Sequence, residues 1–128
     1  FIFRIAMEST VKDCQKLRPT SPTECLSQIF HTKAMTDLTL TFPGYPQLFQ
    51  VHRIILAMWS DVWQAMLFGP LAESDTIALE GDDPEVMGCV LHYMYTGKAK
   101  LQDVSFTAQI YLLANKYDLN HLETLCSE

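Results

Sequence analysis

The chain has 128 residues, of which 48% are hydrophobic, and a formal net charge of −6. This length fits one domain with its own core, since a domain typically holds about 100 to 200 residues. The negative charge and the lack of a Lys/Arg run argue against direct nucleic-acid binding, which depends on clustered basic side chains.

The first 20 residues show no sustained hydrophobic periodicity, and we predict that residues 1–20 are a flexible N-terminal lead-in. Met7 is a candidate natural start, which would make residues 1–6 extraneous. The domain itself is placed at residues 21–128. No apolar stretch approaches the roughly 20 residues that a membrane span needs. Together with the candidate start at Met7, this favours a cytoplasmic or nuclear location.

The first helix is predicted to begin directly after Ser21. Ser21 is a candidate N-cap, Pro22 suits the first helical position, and Glu24 suits the third, where its carboxylate can reach a free main-chain N–H. An apolar face then follows at helical spacing. Its residues are Leu26, Ile29 and Phe30.

A β-hairpin is predicted next. Residues 38–42 alternate between apolar and polar side chains, which is typical of a strand with one buried face. The Pro/Gly-rich residues 43–46 indicate a turn, and residues 48–51 are predicted to form the return strand. The apolar run 54–58 is too compact for its periodicity to distinguish a strand from a helix.

The second half of the chain is predicted to be mainly helical. Ser60 is a candidate cap for a helix of about two turns, which Gly69 and Pro70 cannot continue. Residues 76–80 resemble a third strand in their pattern. Asp83, followed by proline and glutamate, indicates the start of a helix that runs towards Tyr95.

Two further helices complete the prediction. Ser105 is expected to start a helix whose apolar residues recur at spacings of four, three and four. Apolar residues at 122–126 mark a last short helix. The sequence therefore predicts three short strands among about six helices, which is an α+β composition.

No residue pattern indicates catalysis or metal binding. The cysteines at positions 14, 25, 89 and 126 form no close CxxC pairs, so we expect reduced thiols. The four histidines lack partners at metal-ligand spacing. A phosphate-binding loop and a nucleophile motif are both absent from the sequence. We predict a non-enzymatic domain with no cofactor, metal ion or small-molecule substrate.

A series of short motifs gives the most specific signal. They fall in the order and at the spacing of one family, and they are Asp37-Leu38-Thr39-Leu40, Val51-His52-Arg53-Ile54-Ile55-Leu56-Ala57, Ser60-Asp61-Val62-Trp63, Leu71-Ala72-Glu73-Ser74, Ile77-Ala78-Leu79, Asp82-Asp83-Pro84-Glu85-Val86, Tyr93-Met94-Tyr95-Thr96-Gly97 and Leu112-Leu113-Ala114-Asn115-Lys116-Tyr117-Asp118-Leu119. In these motifs the chain resembles BTB/POZ domains. The resemblance implies a small, mainly antiparallel or mixed sheet flanked by a cluster of about six helices. It also implies a protein-interaction module that pairs with itself or with another BTB domain.

The resemblance places an acid and a base, Asp37 and Arg53, in a groove at the dimer interface, with His52 beside them. A carboxylate–guanidinium pair there would either stabilise the fold or belong to a groove that binds corepressors. We hypothesise that Arg53→Ala destabilises the folded dimer by leaving Asp37 unpaired. For His52 we expect a core or capping role. The helix implied to mediate dimerisation is the one that carries Leu26, Ile29 and Phe30.

The segment Leu71-Ala72-Glu73 matches the hydrophobic-x-Glu motif that cullin-binding BTB domains place between a helix and the following strand. This match implies a substrate adaptor for a cullin-3 ubiquitin ligase. The candidate cullin contacts are Trp63, Met66, Leu71, Glu73, Tyr111 and Tyr117. The alternative is an oligomerisation module that recruits corepressors for a transcriptional or assembly regulator.

Overall fold

The computed structural model describes residues 18–69 and 75–127. Within these residues it contains six helices and three strands, which confirms the predicted α+β fold. The helices are α1 (Pro22–Thr32), α2 (Arg53–Trp59), α3 (Asp61–Phe68), α4 (Pro84–Thr96), α5 (Val104–Lys116) and α6 (Asn120–Ser127). The strands are β1 (Leu38–Thr41), β2 (Leu48–Val51) and β3 (Thr76–Ala78).

The three strands form one mixed sheet in the order β2-β1-β3. Strand β1 pairs antiparallel with β2, with Leu38 opposite Val51, and parallel with β3, with Leu40 opposite Ile77. Leu38 and Leu40 are buried, while Thr39 and Thr41 are half-buried. The predicted strand with one buried face is therefore confirmed, because successive side chains of a strand point to opposite faces.

Three predicted helix starts are confirmed by hydrogen bonds to cap side chains. The Ser21 hydroxyl accepts the Glu24 N–H at 3.1 Å, and the Ser60 hydroxyl accepts the Trp63 N–H at 3.1 Å. The Asp83 carboxylate accepts the Glu85 N–H at 2.8 Å. Each bond satisfies one of the main-chain donors that the first helical turn leaves free.

Two helix predictions are settled or corrected by the structure. The ambiguous run 54–58 is helical and lies within α2. The helix predicted to start at Ser105 instead begins at Val104, because the carboxylate of Asp103 accepts the Phe106 N–H at 2.7 Å and acts as the N-cap. Asp is among the residues preferred at the N-cap, so the start at Val104 agrees with the local sequence.

Helix α4 lies at the centre of the helical layer and packs against α1, α2 and α5. Its sequence is apolar on nearly every side, as expected for a helix with neighbours all round. Gly88 lets α4 approach the sheet, since a Cβ atom there would lie 3.2 Å from the Phe49 ring. Helix α4 therefore joins the sheet to the other helices of the core.

Among the residues that the structure describes, no helix is both long and apolar enough to cross a bilayer. In the same residues, no three acidic, histidine or cysteine side chains converge on a common point. Cys25, Cys89 and Cys126 are free thiols, and burial raises the pKa of Cys89 and Cys126. Cys14 lies outside the described residues.

Candidate functional site

Asp37 and Arg53 are adjacent, but the structure corrects the predicted pairing between their side chains. Asp37 Oδ1 accepts the main-chain N–H of Arg53 at 2.8 Å, at the first residue of α2. The Arg53 side chain donates from Nε to the Asp37 carbonyl at 3.1 Å and from an Nη to Asp75 Oδ1 at 2.7 Å. The Asp37 carboxylate thus caps a helix, and its cap bond does not depend on the guanidinium.

This geometry changes the expected effect of mutating the charged groove. Arg53→Ala leaves the bond from the main-chain N–H of residue 53 to Asp37 in place. The hypothesis that this substitution would leave Asp37 unpaired is therefore wrong. One of the interactions that the substitution removes is the ion pair with Asp75, whose side chain is 94% exposed. Ion pairs this exposed typically contribute about 0 to 1 kcal/mol.

Asp37→Ala is expected to lower the free energy of unfolding by about 0.5 to 2 kcal/mol, the usual cost of losing a helix cap. Asp37→Asn should retain at least half of that stability, because its amide oxygen can still accept the Arg53 N–H. Urea unfolding at one fixed protein concentration measures both variants. Equal losses in the two variants would show that the charge, rather than the cap bond, is what matters.

His52 lies at the start of α2 in a fully bonded, buried network. Its Nε2 is 2.6 Å from the Ala34 carbonyl oxygen, which can only accept, so Nε2 carries a proton. Its Nδ1 is 2.7 Å from the Tyr95 hydroxyl, and that hydroxyl also accepts the His52 N–H at 2.9 Å. In the neutral ring the hydroxyl donates to Nδ1, and every polar atom of the network is satisfied. The predicted core role of His52 therefore agrees with its position.

The buried tyrosines predict how stability depends on pH. Burial raises the pKa of Tyr95 to about 12, and burial together with the Asp82 carboxylate raises the pKa of Tyr117 further. The ordinary tyrosine pKa is about 10, so near pH 11 the unfolded chain has released protons that the folded protein still holds. The folded state is then disfavoured by rising pH, since stability falls where the native state binds more protons.

We therefore expect the free energy of unfolding to be unaffected by these tyrosines below about pH 9 and to fall from about pH 10 upward. The loss should not exceed about 1.4 kcal/mol per pH unit for each titrating tyrosine. Urea unfolding between pH 8 and 12 measures this dependence. Tyr95→Phe should give a shallower fall, and an identical pH dependence in that variant would contradict the assignment to Tyr95.

The predicted dimer helix is α1. This helix contacts the core but contains no fully buried residue. Ile29 and Phe30 pack against the core, where the Phe30 ring lies 4.8 Å from the Tyr95 ring between centroids. Leu26 is half-buried and is not among the residues that pack against the core. Of the three predicted residues, Leu26 is therefore the one whose side chain is most available to a second chain.

Helix α2 carries an apolar surface that was not predicted from the sequence. Ile54 is 64% exposed and Met58 is 79% exposed, and residues four apart lie on the same helix face. The signal was present in the run 54–58, which is too uniformly apolar for a helix that buries only one side. The His52 bond to Ala34 ties the start of α2 to the turn after α1. The start of α2 therefore lies close to the C-terminal end of α1.

The predicted cullin contacts divide into exposed, buried and undescribed residues. Met66 and Tyr111 are about 40% exposed and remain available to a partner. Trp63 and Tyr117 are buried, with their rings stacked 5.0 Å apart, so the structure corrects their placement on a contact surface. Leu71 and Glu73 lie outside the described residues.

Helix α3 also carries exposed apolar side chains that were not predicted from the sequence. Val62 and Met66 are exposed and lie four residues apart on one face of the helix, whereas Phe68, which is 60% exposed, points to a different side at the C-terminal end. On α5, Tyr111 and the exposed Leu112 line a groove of about 730 Å³ between α5 and α6. Exposed apolar patches of this kind commonly mark protein-interaction sites.

Comparisons with known proteins agree on one domain family. The family model for the BTB/POZ domain matches residues 26–128 of the chain. Kelch-like protein 40 of Xenopus laevis is 36% identical over 80 residues, which are 61% of this chain and 13% of that protein. TD and POZ domain-containing protein 5 of Mus musculus is 31% identical over 109 residues, which are 83% of this chain and 32% of that protein. The chain thus spans about a third or less of these two relatives.

A solved structure agrees with the architecture. The BTB domain of zebrafish PATZ1 matches this chain with a TM-score of 0.71, over 82% of this chain and 84% of that one. Sequence identity is 15%, so the match concerns the fold alone.

Proposed function

This chain belongs to the BTB/POZ domain family, a class of non-catalytic protein-interaction modules, and from that membership we propose that it homodimerises and docks cullin-3. In this proposal the dimer is a substrate adaptor of a cullin-3 ubiquitin ligase, and the substrate is recognised by another part of the assembly. The observation that supports this proposal is the exposure of three apolar side chains on α3: Val62 and Met66 share one face, and Phe68 lies at the C-terminal end.

Self-association is proposed to use α1 and α2. Leu26 on α1, together with Ile54 and Met58 on α2, offers apolar area that the single chain leaves in contact with water. A two-fold interface brings the same patch of each protomer together, so the buried apolar area is twice that of one patch. Burying it gains roughly 25 cal/mol for each Å² removed from water.

Cullin docking is proposed to use the outer side of α3 and the segment that follows it. Phe68 is the most exposed apolar side chain of α3 and would be an anchor, since aromatic side chains dominate binding energy at protein interfaces. The hydrophobic-x-Glu motif Leu71-Ala72-Glu73 follows Phe68 closely in the sequence. Trp63 and Tyr117, beneath this surface, would support it without contacting the partner.

Calorimetric titration with the N-terminal domain of cullin-3 tests this function. We expect saturable binding with one cullin domain per protomer, weakened by Glu73→Ala. A titration without heat or complex formation at micromolar concentrations would reject the adaptor function. In that case the oligomerisation and corepressor-recruiting alternative would take its place.

A further inference from the structure

A buried carboxylate, Asp82, links three helices. Asp82 precedes the cap of α4 and is only 7% exposed. Its Oδ2 accepts the Tyr117 hydroxyl at 2.7 Å, and its Oδ1 accepts Lys116 Nζ at 2.8 Å. Both oxygens are therefore bonded to the last turn of α5. A buried carboxylate depends on such partners, because burying the charge without them is costly.

Tyr117 is in turn joined to the start of α3 in two ways. Its carbonyl oxygen accepts the Ser60 hydroxyl at 2.6 Å, and its ring stacks on Trp63 at an interplanar angle of 23°. Ser60 is also the N-cap of α3, since its oxygen accepts the Trp63 N–H. One continuous set of contacts thus runs from Asp82 through Tyr117 to Ser60 and Trp63.

Helix α3 needs such an anchor because it has only eight residues. Helices shorter than about 12 residues are marginal on their own, and packing decides their position. The core-facing side of α3 is held through Trp63 and Leu67, while the outer side chains Met66 and Phe68 lie on opposite flanks of that side and are exposed. Any movement at the Trp63 end of α3 would displace these outer side chains.

We propose that the Asp82–Tyr117–Ser60–Trp63 network positions α3 against the end of α5 and thereby sets the affinity for the docked partner. Asp82 and Tyr117 are positioning residues here, since both are buried and neither can touch the partner. This inference rests on the proposed function, because it assigns the network a role at the α3 docking surface.

Tyr117→Phe tests the inference with the removal of a single hydroxyl group. It leaves the ring on Trp63 and the carbonyl on Ser60 but removes the bond to Asp82. Tyr93→Phe is the matched control, since Tyr93 is equally buried and its hydroxyl pairs with His121 on α6. Asp82→Asn is a second variant, which keeps an acceptor for Tyr117 and loses the charge. All proteins are compared well below their melting temperatures.

Two measurements are made on each variant: hydrogen exchange of the α3 amides and affinity for the cullin-3 N-terminal domain. Tyr117→Phe is expected to speed α3 exchange about tenfold and to raise Kd about fivefold to tenfold, as the loss of one buried hydrogen bond allows. Asp82→Asn should change both quantities in the same direction by a smaller factor. Tyr93→Phe should leave both within about twofold of the wild type, even if it lowers the melting temperature.

Unchanged α3 exchange and unchanged Kd in Tyr117→Phe would overturn the inference, and so would equal changes in Tyr93→Phe. If the wild type does not bind cullin-3, the proposed function fails, and the docking half of this inference fails with it. The exchange measurement needs no partner and still decides whether the network holds α3. The two failures are therefore distinguishable.

Discussion

Phe68→Asp is expected to weaken binding of the cullin-3 N-terminal domain by at least about 30-fold, which corresponds to about 2 kcal/mol. Phe68 is the most exposed apolar side chain of α3, so its replacement removes an aromatic anchor from the proposed docking surface. The new carboxylate would also lose its hydration shell on complex formation without gaining a cation or hydrogen-bond donor in its place. The fold should be unaffected, because the side chain is mostly in solvent.

Calorimetric titration of the variant measures this loss directly. Tyr45→Asp is the matched control, since Tyr45 is an exposed aromatic residue at the hairpin tip, away from α3. It should bind cullin-3 like the wild type. Wild-type affinity in Phe68→Asp, with the control unchanged, would remove the C-terminal end of α3 from the docking surface.

Met58→Asp is expected to convert the dimer into a monomer. Met58 is 79% exposed in the single chain, so the variant should fold normally. In a two-fold interface the substitution places two carboxylates in an apolar contact. Uncompensated burial of each charge costs several kcal/mol, which is enough to dissociate a dimer of micromolar affinity. Light scattering coupled to size-exclusion chromatography measures the mass.

The same measurement on two further variants locates the interface. Leu26→Asp should also weaken the dimer, since Leu26 is the available residue of α1. Val104→Asp is the control, because Val104 is an exposed apolar residue at the start of α5, where an acidic side chain suits the helix N-terminus. A Met58→Asp variant that keeps the dimer mass would exclude the exposed side of α2 from the interface.

Local chemistry explains why much of the fold was predictable from sequence. Ser21, Ser60 and Asp83 each bond an N–H within three residues of themselves. The helix starts that they cap can therefore be predicted from short segments. Strand β1 was recognisable because its burial alternates with period two. Collinear motifs then supplied the family, which no single segment specified.

The side-chain partners could not be predicted, because they depend on residues far apart in the chain. The guanidinium of Arg53 bonds Asp75, 22 positions away, and the hydroxyl of Tyr117 bonds Asp82, 35 positions away. Trp63 shows the same limit, since periodicity on a short helix cannot tell a core residue from a contact residue. Its stacking on Tyr117 decides the matter and arises only in the folded chain.

Light scattering on the 128-residue chain mixed with the cullin-3 N-terminal domain shows whether a BTB dimer docks cullin-3. Alone, the chain should have twice its 14.6 kDa mass. In the mixture we expect a single peak whose mass equals two chains and two cullin domains. A chain that elutes at 14.6 kDa, apart from cullin-3, would contradict both the dimer and the docking of cullin-3.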